Sequence, residues 1–185
     1  MNNTWDANRN HNGWSGGLAD WTDGDTAFVS VVFSWQIQAA YQKAQWYKAQ
    51  GYRVRVGGPA AGLNPEPFAE FESGTARALP HHNPNATFTT RGCIRQCQFC
   101  GVPKFEGAFR ELEHWDAKPI VCDNNLLAAS RDHFDRVIDR LKPLKGVDFN
   151  QGLDARLLTD YHAGRLTELD TLCVRLAWDH SKLEG

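Results

Sequence analysis

RGCIRQCQFCG, at residues 91–101, holds three of the five cysteines of this 185-residue chain, in a Cys-x3-Cys-x2-Cys pattern. A loop this tight points three sulfurs at one centre, and thiolates are soft ligands that suit a soft metal ion or an iron–sulfur cluster. Four thiolates saturate a [4Fe-4S] cluster, whereas Cys93, Cys97 and Cys100 leave one iron without a protein ligand. An open coordination position is typical of catalytic metal sites and not of structural ones. The loop therefore predicts an iron–sulfur centre that is able to bind a further ligand.

Two other interpretations of the cysteine loop stay open at the level of sequence. Zinc sites usually have four protein ligands, and the fourth would come from His81, His82, His114 or Cys122. Alternatively, the three thiols belong to the core and have no shared ligand. Because cysteine is a scarce residue, this spacing seldom arises by chance, and the three-ligand iron–sulfur interpretation is favoured over both.

The spacing, with Phe99 directly before the last cysteine, resembles the signature loop of the radical S-adenosylmethionine (SAM) enzymes. In that family three cysteines hold a [4Fe-4S] cluster, and the fourth iron binds the amino and carboxylate groups of SAM. The resemblance implies that Cys93, Cys97 and Cys100 bind the cluster and that Phe99 lines the adenine side of SAM. It implies reductive cleavage of SAM to a 5′-deoxyadenosyl radical, with flavodoxin or ferredoxin as the electron donor. The substrate remains unknown.

Composition restricts the other function classes. Charged residues make up 23% of the chain and its net charge is −2, so there is no strong nucleic-acid signal. No apolar run approaches the ~20 residues that a membrane span requires, and the N-terminus is not a signal peptide. An odd number of cysteines, three of them clustered, argues against a disulfide framework. The sequence therefore predicts a cytoplasmic protein.

The first part of the chain predicts an irregular N-terminal segment at residues 1–24 and a small Rossmann-like β-α-β segment at 25–62. An apolar strand at 26–34, a helix at 35–50 and a strand at 52–56 make up this segment. It looks like part of the domain that precedes the barrel in cobalamin-binding-type radical SAM proteins. The Asp-x-His-x-x-Gly motif that presents a histidine to cobalt is absent from the sequence. We therefore expect no cobalamin.

A linker at 63–86 leads into the cysteine-containing part, 87–185, where short strands alternate with helices. The resemblance implies an incomplete radical SAM (β/α) partial barrel, with four of about six strand–helix units, from a truncated sequence. Strands are expected at 87–90, 120–122, 146–150 and 171–177, and helices at 130–141 and 159–169. The predicted fold class is thus α/β, with a Rossmann-like segment followed by a partial barrel.

Polar residues follow two of these strands, and α/β barrels place their active sites at the carboxyl ends of the strands. Asp123, Asn124 and Asn125 come after residues 120–122, and Asp154 and Arg156 follow the next strand. By position these five side chains are candidate contacts to SAM or substrate. Asx-turn capping of a helix explains the first three equally well. Asp154 paired with Arg156 would also serve simply to hold a loop.

The function predicted from sequence is that of a radical SAM enzyme of unknown substrate, or a fragment of one. The alternative is a non-catalytic zinc- or iron–sulfur-binding interaction module, and a third option is a fragment that binds a cluster but not SAM. The number of protein ligands discriminates among these, because a catalytic cluster leaves one iron open whereas a structural zinc site is closed.

Overall fold

The computed structural model describes residues 13–75 and 77–177, and the chain divides into two compact units at residues 84 and 85. The sequence placed the start of the last domain at residue 87, close to this division. Each unit combines helices with a β-sheet around its own hydrophobic core, so the α/β class is confirmed. Within the described ranges, no helix combines the length and apolar character needed to cross a membrane.

The first unit is built on a mixed four-stranded sheet, whose strands lie side by side in the order in which they occur in the chain. Its elements are β1 (Leu18–Asp23), β2 (Thr26–Val31), α1 (Ile37–Ala49), β3 (Arg53–Gly57), α2 (Pro59–Leu63), β4 (Glu72–Ser73) and α3 (Leu79–His82). The expected β-α-β unit is present, because β2 and β3 are parallel and α1 connects them. Ala40 and Ala44 of α1 are fully buried, and their small side chains let the helix lie close to the sheet.

One expectation for the first unit is wrong: part of the segment predicted to be irregular forms a regular strand. β1 pairs antiparallel with β2 over its whole length, and Trp21 stacks on its cross-strand partner Phe28 at 5.2 Å between ring centroids. Gly24, with a φ of 58°, makes the tight turn between the two strands. Cross-strand pairing therefore gives this segment an order that its own periodicity does not indicate. Residues 1–12 of the segment lie outside the described ranges.

The second unit is built on a four-stranded parallel sheet, whose strands lie side by side in chain order. Its elements are β5 (Ala86–Thr87), β6 (Thr90–Arg91), α4 (Val102–Phe105), β7 (Arg110–Glu111), β8 (Ile120–Val121), α5 (Arg131–Leu141), β9 (Val147–Phe149), β10 (Leu153–Asp154), α6 (Asp160–Leu166), β11 (Thr171–Cys173) and β12 (Leu176–Ala177). The sheet contains the four strands that the sequence predicted, in chain order. Their carboxyl ends therefore share one edge.

Helix α5 supplies much of the core of the second unit. Its amphipathic pattern predicted a buried face, and that prediction is confirmed by Phe134, Val137, Ile138 and Leu141, which have no exposed surface. Ser130 caps the helix by accepting a hydrogen bond from the His133 amide at 3.2 Å. Burial of side chains of this size contributes about 1.5–3 kcal/mol each. The packing of α5 therefore holds the parallel strands β8 and β9, which contribute to the same core, firmly in place.

Two predicted strands of the second unit are divided in the structure. Only residues 86–87 of the first strand join the parallel sheet, because residues 90–91 turn away as β6 and pair antiparallel with β7. At the other end of the sheet, residues 171–177 form β11, which pairs with β9, and β12, which pairs with β10. Both predictions of one continuous strand are therefore wrong, since each segment changes partner part-way along.

Candidate cofactor site

The cysteine loop begins where the ribbon of β6 and β7 opens. Gly92 follows β6 with a φ of 73°, and Cys93 forms an isolated parallel bridge with Ala108. A Cβ on Gly92 would overlap the carbonyl oxygen of Ala108 and lie 2.6 Å from its carbonyl carbon. Only glycine combines this backbone conformation with this close approach. The first cysteine is therefore held at a fixed place beside the ribbon.

Replacing Gly92 with alanine is expected to lower the free energy of unfolding by roughly 2–3 kcal/mol, because positive-φ strain and overlap with Ala108 add together. Gly107→Ala is the matched control, since Gly107 also has a positive φ, 76°, but nothing lies within 4 Å of its Cβ position. The control should cost only about 1 kcal/mol. Urea denaturation followed by circular dichroism measures both, and equal losses would contradict the close approach.

Glu106 anchors the same end of the loop from the opposite side. Its side chain is 6% exposed, and its Oε2 accepts hydrogen bonds from the Gly92 amide and from Asn124 Nδ2, both at 2.8 Å. Its Oε1 lies 3.1 Å from the guanidinium of Arg91. One carboxylate therefore connects the start of the cysteine loop to the tip of β8. The sequence does not single out Glu106, because nothing in the pattern of residues 101–107 indicates its partners.

The three loop cysteines are free and partly exposed. The sulfur of Cys93 accepts a hydrogen bond from the Arg95 amide at 3.3 Å and another from Asn125 Nδ2 at 3.6 Å. Cys97 and Cys100 belong to one turn, in which the Cys100 amide donates to the Cys97 carbonyl at 3.0 Å. Across residues 13–75 and 77–177, no three His, Cys, Asp or Glu side chains are gathered as a ready-made metal site.

The exposed part of the loop carries Phe99, whose side chain is 74% exposed. Its neighbours Gln96 and Gln98 are exposed as well, whereas Gly92 is buried. The loop thus has an anchored end at Cys93 and an outward-facing arm that contains the other two cysteines. The ring of Phe99 therefore has no covering contact on most of its surface, and its expected place beside SAM stays a prediction.

Asp154 connects the loop to the end of β10. Its Oδ2 accepts hydrogen bonds from Arg95 Nε at 3.1 Å, Arg156 Nη2 at 3.0 Å and Asn125 Nδ2 at 3.4 Å. Its Oδ1 accepts a further one from Arg156 Nε at 2.6 Å. Four of the predicted site residues, Cys93, Asn125, Asp154 and Arg156, are therefore brought together in one hydrogen-bonded group.

The Asp154 carboxylate is held in its charged form. Burial opposes ionisation, but hydrogen bonds from Arg156 and Arg95 outweigh it, so the pKa of Asp154 lies below its ordinary value. A depressed pKa means that folding favours the carboxylate. The stability it contributes is present above the unfolded-state pKa of about 3.9 and is lost as pH falls through the folded-state pKa.

Asp154→Asn is therefore expected to destabilise the chain at neutral pH and to make less difference as the pH falls below about 3.9. Urea denaturation of the parent and the variant at a series of pH values measures this difference. If the difference in free energy of unfolding stays constant as the pH falls below about 3.9, the assignment of a charged, arginine-paired carboxylate is contradicted.

Asp123 and Asn124 face other partners than the loop sulfurs. Asp123 is 3% exposed, and its Oδ1 accepts from the amides of Thr89 and Thr90 at 2.6 and 2.9 Å. Its Oδ2 accepts from the Thr89 hydroxyl. Asn124 donates to Glu106, as described above. These two side chains fix the backbone around the site, and only Asn125 of the three contacts a cysteine sulfur.

The candidate fourth ligands for zinc are engaged elsewhere or exposed. Cys122 is 3% exposed, and burial raises its pKa to about 12, so it is a neutral thiol that packs in the sheet. In the first unit, His82 uses both ring nitrogens on the hydroxyls of Ser15 and Ser30, at 2.7 and 2.8 Å. The side chain of His114 is 92% exposed. His81, the fourth candidate, is exposed and stacks on Trp21 at 4.0 Å between ring centroids. Cys122 and His82 are therefore already engaged, whereas His114 and His81 are exposed.

Comparison with known proteins gives no relative for this chain: no family model, curated protein or solved structure matches it.

Proposed function

We propose that this chain is a radical SAM enzyme, or part of one, that binds a [4Fe-4S] cluster through Cys93, Cys97 and Cys100. The single observation that supports this most is the position of the cysteine loop. The loop follows the short strand β6, which comes directly after the parallel strand β5. Its first sulfur contacts Asn125, which follows β8, the parallel neighbour of β5. Carboxyl ends of parallel strands are where α/β folds assemble catalytic groups. The four-stranded parallel sheet is, in this proposal, part of a (β/α) barrel.

The residues present suit such a cluster. The three loop thiols are free, and the free thiol of Cys122 is buried in the sheet, so three protein ligands leave one iron available to a small molecule. Metal-binding loops commonly complete their folding around the metal. We expect the exposed arm with Cys97 and Cys100 to close on the cluster, while Gly92 and Glu106 keep Cys93 in place.

The surrounding polar groups suit SAM as the small molecule. Asn125 is 1% exposed, and its Oδ1 is buried without a hydrogen-bond partner in the described part of the chain. A buried, unsatisfied carbonyl oxygen gains from an N–H donor, and the SAM ammonium group supplies one. Arg156 uses its planar fork to hold Asp154, and with Arg95 on the same carboxylate the group keeps a net positive charge, which suits the SAM carboxylate. When bound, the reduced cluster supplies reductive cleavage of SAM to a 5′-deoxyadenosyl radical.

This proposal implies further components. The one-electron reduction needs a low-potential donor, of the flavodoxin or ferredoxin class. Oxygen-sensitive clusters and free thiols suit a reducing compartment, so we place the protein in the cytoplasm. The Rossmann-like character of the first unit belongs to the proposal too, and it carries no cobalamin in our interpretation. The substrate class is not specified by any of these residues.

Anaerobic reconstitution with iron and sulfide, followed by electron paramagnetic resonance of the dithionite-reduced protein, tests the proposal. A [4Fe-4S]+ signal that changes on addition of SAM is the expected result. A signal that is indifferent to SAM would leave a cluster-binding module without this catalysis. Stoichiometric zinc with no cluster would overturn the proposal and support the zinc-binding interaction module.

A further inference from the structure

One buried amide of the candidate site has a role that SAM binding does not use. Asn125 Nδ2 lies 3.6 Å from the sulfur of Cys93 and 3.4 Å from Asp154 Oδ2. Both of these atoms are acceptors, and Asn125 is 1% exposed, so water does not compete for its N–H groups. The nitrogen side of this amide is thus directed at the sulfur and the carboxylate together.

The orientation of the amide is enforced by charge. Turning it over would bring its carbonyl oxygen against the Asp154 carboxylate, which Arg95 and Arg156 keep ionised. Two oxygens in contact repel, whereas N–H facing a carboxylate is a charge-assisted hydrogen bond. Asp154 therefore fixes Asn125, and Asn125 in turn presents an N–H to Cys93. The Cys93 sulfur also accepts a second hydrogen bond, from the backbone amide of Arg95.

We propose that Asn125 sets the reduction potential of the cluster by donating a hydrogen bond to the Cys93 thiolate, with Asp154 as the residue that orients it. This inference rests on the proposed function. A donor to a ligand sulfur withdraws electron density and stabilises the reduced, more negative cluster, which raises the potential. The cluster takes up one electron, from dithionite in the test and from the low-potential protein donor in the proposed reaction.

The test compares two neighbouring substitutions. Asn125→Leu removes the donor to Cys93 without changing charge, and Asp154 keeps its hydrogen bonds from Arg95 and Arg156. Asn124→Leu is the matched control, because Asn124 donates to Glu106 and not to a sulfur. Both variants are reconstituted, assayed for iron and sulfide, and titrated without SAM under electron paramagnetic resonance.

The expected result is a lower midpoint potential for Asn125→Leu alone. At a fixed potential the ratio of reduced to oxidised cluster should fall roughly tenfold, which corresponds to ~59 mV for a one-electron couple. Equal potentials for the parent and Asn125→Leu, with intact clusters, would overturn the inference and leave the proposed function standing. Failure of the parent chain to assemble any cluster would instead refute the proposed function.

A measurement on the parent chain covers the case in which Asn125→Leu loses its cluster. Asparagine labelled with nitrogen-15 in the side chain is incorporated, and pulsed electron paramagnetic resonance of the reduced cluster is recorded. A side-chain nitrogen coupling that is retained in Asn124→Leu is expected for a direct N–H···S contact. A parent spectrum without such a coupling would overturn the inference.

Discussion

Replacing Cys97 with alanine is expected to abolish cluster assembly, with bound iron falling at least ~tenfold after anaerobic reconstitution. The reason is ligand number: in the proposed site three thiolates already leave one iron open, and two would not hold a cubane cluster against loss of iron to solvent. Cys97 is the most suitable position to test, because it lies on the exposed arm of the loop. We expect its replacement to leave the anchored end at Cys93 in place. Iron and acid-labile sulfide analysis measure the loss.

Cys122→Ala is the matched control for this experiment. Cys122 is buried in the sheet, and its pKa near 12 keeps the thiol protonated, so it is not a ligand in the proposed site. The control should retain a full complement of iron. If Cys122→Ala lost the metal to the same extent as Cys97→Ala, a four-ligand site would be indicated, and the open iron on which the radical SAM proposal depends would not exist.

Removing the Asp123 carboxylate is expected to have the largest effect on stability near the site, about 3 kcal/mol or more for Asp123→Ala. Thr89 and Thr90 have no exposed surface, and both of their amides donate to Asp123 Oδ1. Without an acceptor, each buried amide loses its hydrogen bond at a cost of about 1–3 kcal/mol. Urea denaturation followed by circular dichroism measures the change.

Asp123→Asn separates these hydrogen bonds from the charge. The amide keeps an oxygen for Thr89 and Thr90, and its nitrogen is placed to donate to the Thr89 hydroxyl. Its cost should stay below about 1 kcal/mol at neutral pH. Equal destabilisation by Asn and Ala would mean that the negative charge, and not acceptance of hydrogen bonds, is what the fold requires of residue 123.

The pH dependence of stability in the unsubstituted chain depends in part on the carboxyl group of Asp123. Burial raises the pKa of Asp123 and outweighs the hydrogen bonds from Thr89 and Thr90 that lower it. Folding therefore favours the protonated form. The stability that protonated Asp123 contributes is fully present below the unfolded-state pKa of about 3.9 and is lost as pH rises through the folded-state pKa. In Asp123→Asn, the loss of stability that accompanies a rise in pH should be absent. In Asp154→Asn, the loss of stability that accompanies a fall in pH should be absent.

The elements that sequence predicted well are those whose own residues carry the signal. Helix α5 has a cap at Ser130 and an apolar face that runs from Phe134 to Leu141, and both are local features. β1 and β7 could not be predicted in this way, because what makes them strands is a partner elsewhere in the chain. The division of residues 86–91 into β5 and β6 depends on Asp123, more than thirty residues away.

The same limit applies to the candidate site. The cysteine pattern and the polar tip after β8 are visible in sequence, and chain order is enough to bring them to one edge. Sequence does not say which tip residue meets the loop. Three consecutive side chains, Asp123, Asn124 and Asn125, contact Thr89, Glu106 and Cys93 respectively. Backbone direction at the tip decides this, and single-residue periodicity carries no information about it.

The order of the parallel sheet has a consequence for how the second unit is made in the cell. Each of β8, β9 and β11 pairs with the sheet strand that precedes it in the chain. When β8, β9 or β11 emerges from the ribosome, the preceding sheet strand with which it pairs has therefore already been translated. Pairing of successive sheet strands also keeps the loops that must close shorter than pairing out of chain order would, and a shorter loop costs less entropy to close. The cysteine loop lies between β5 and β8, the first two strands of the sheet, so it is translated before most of the sheet. In the proposed function, the three cluster ligands are thus present in the chain before β9 and β11 are made.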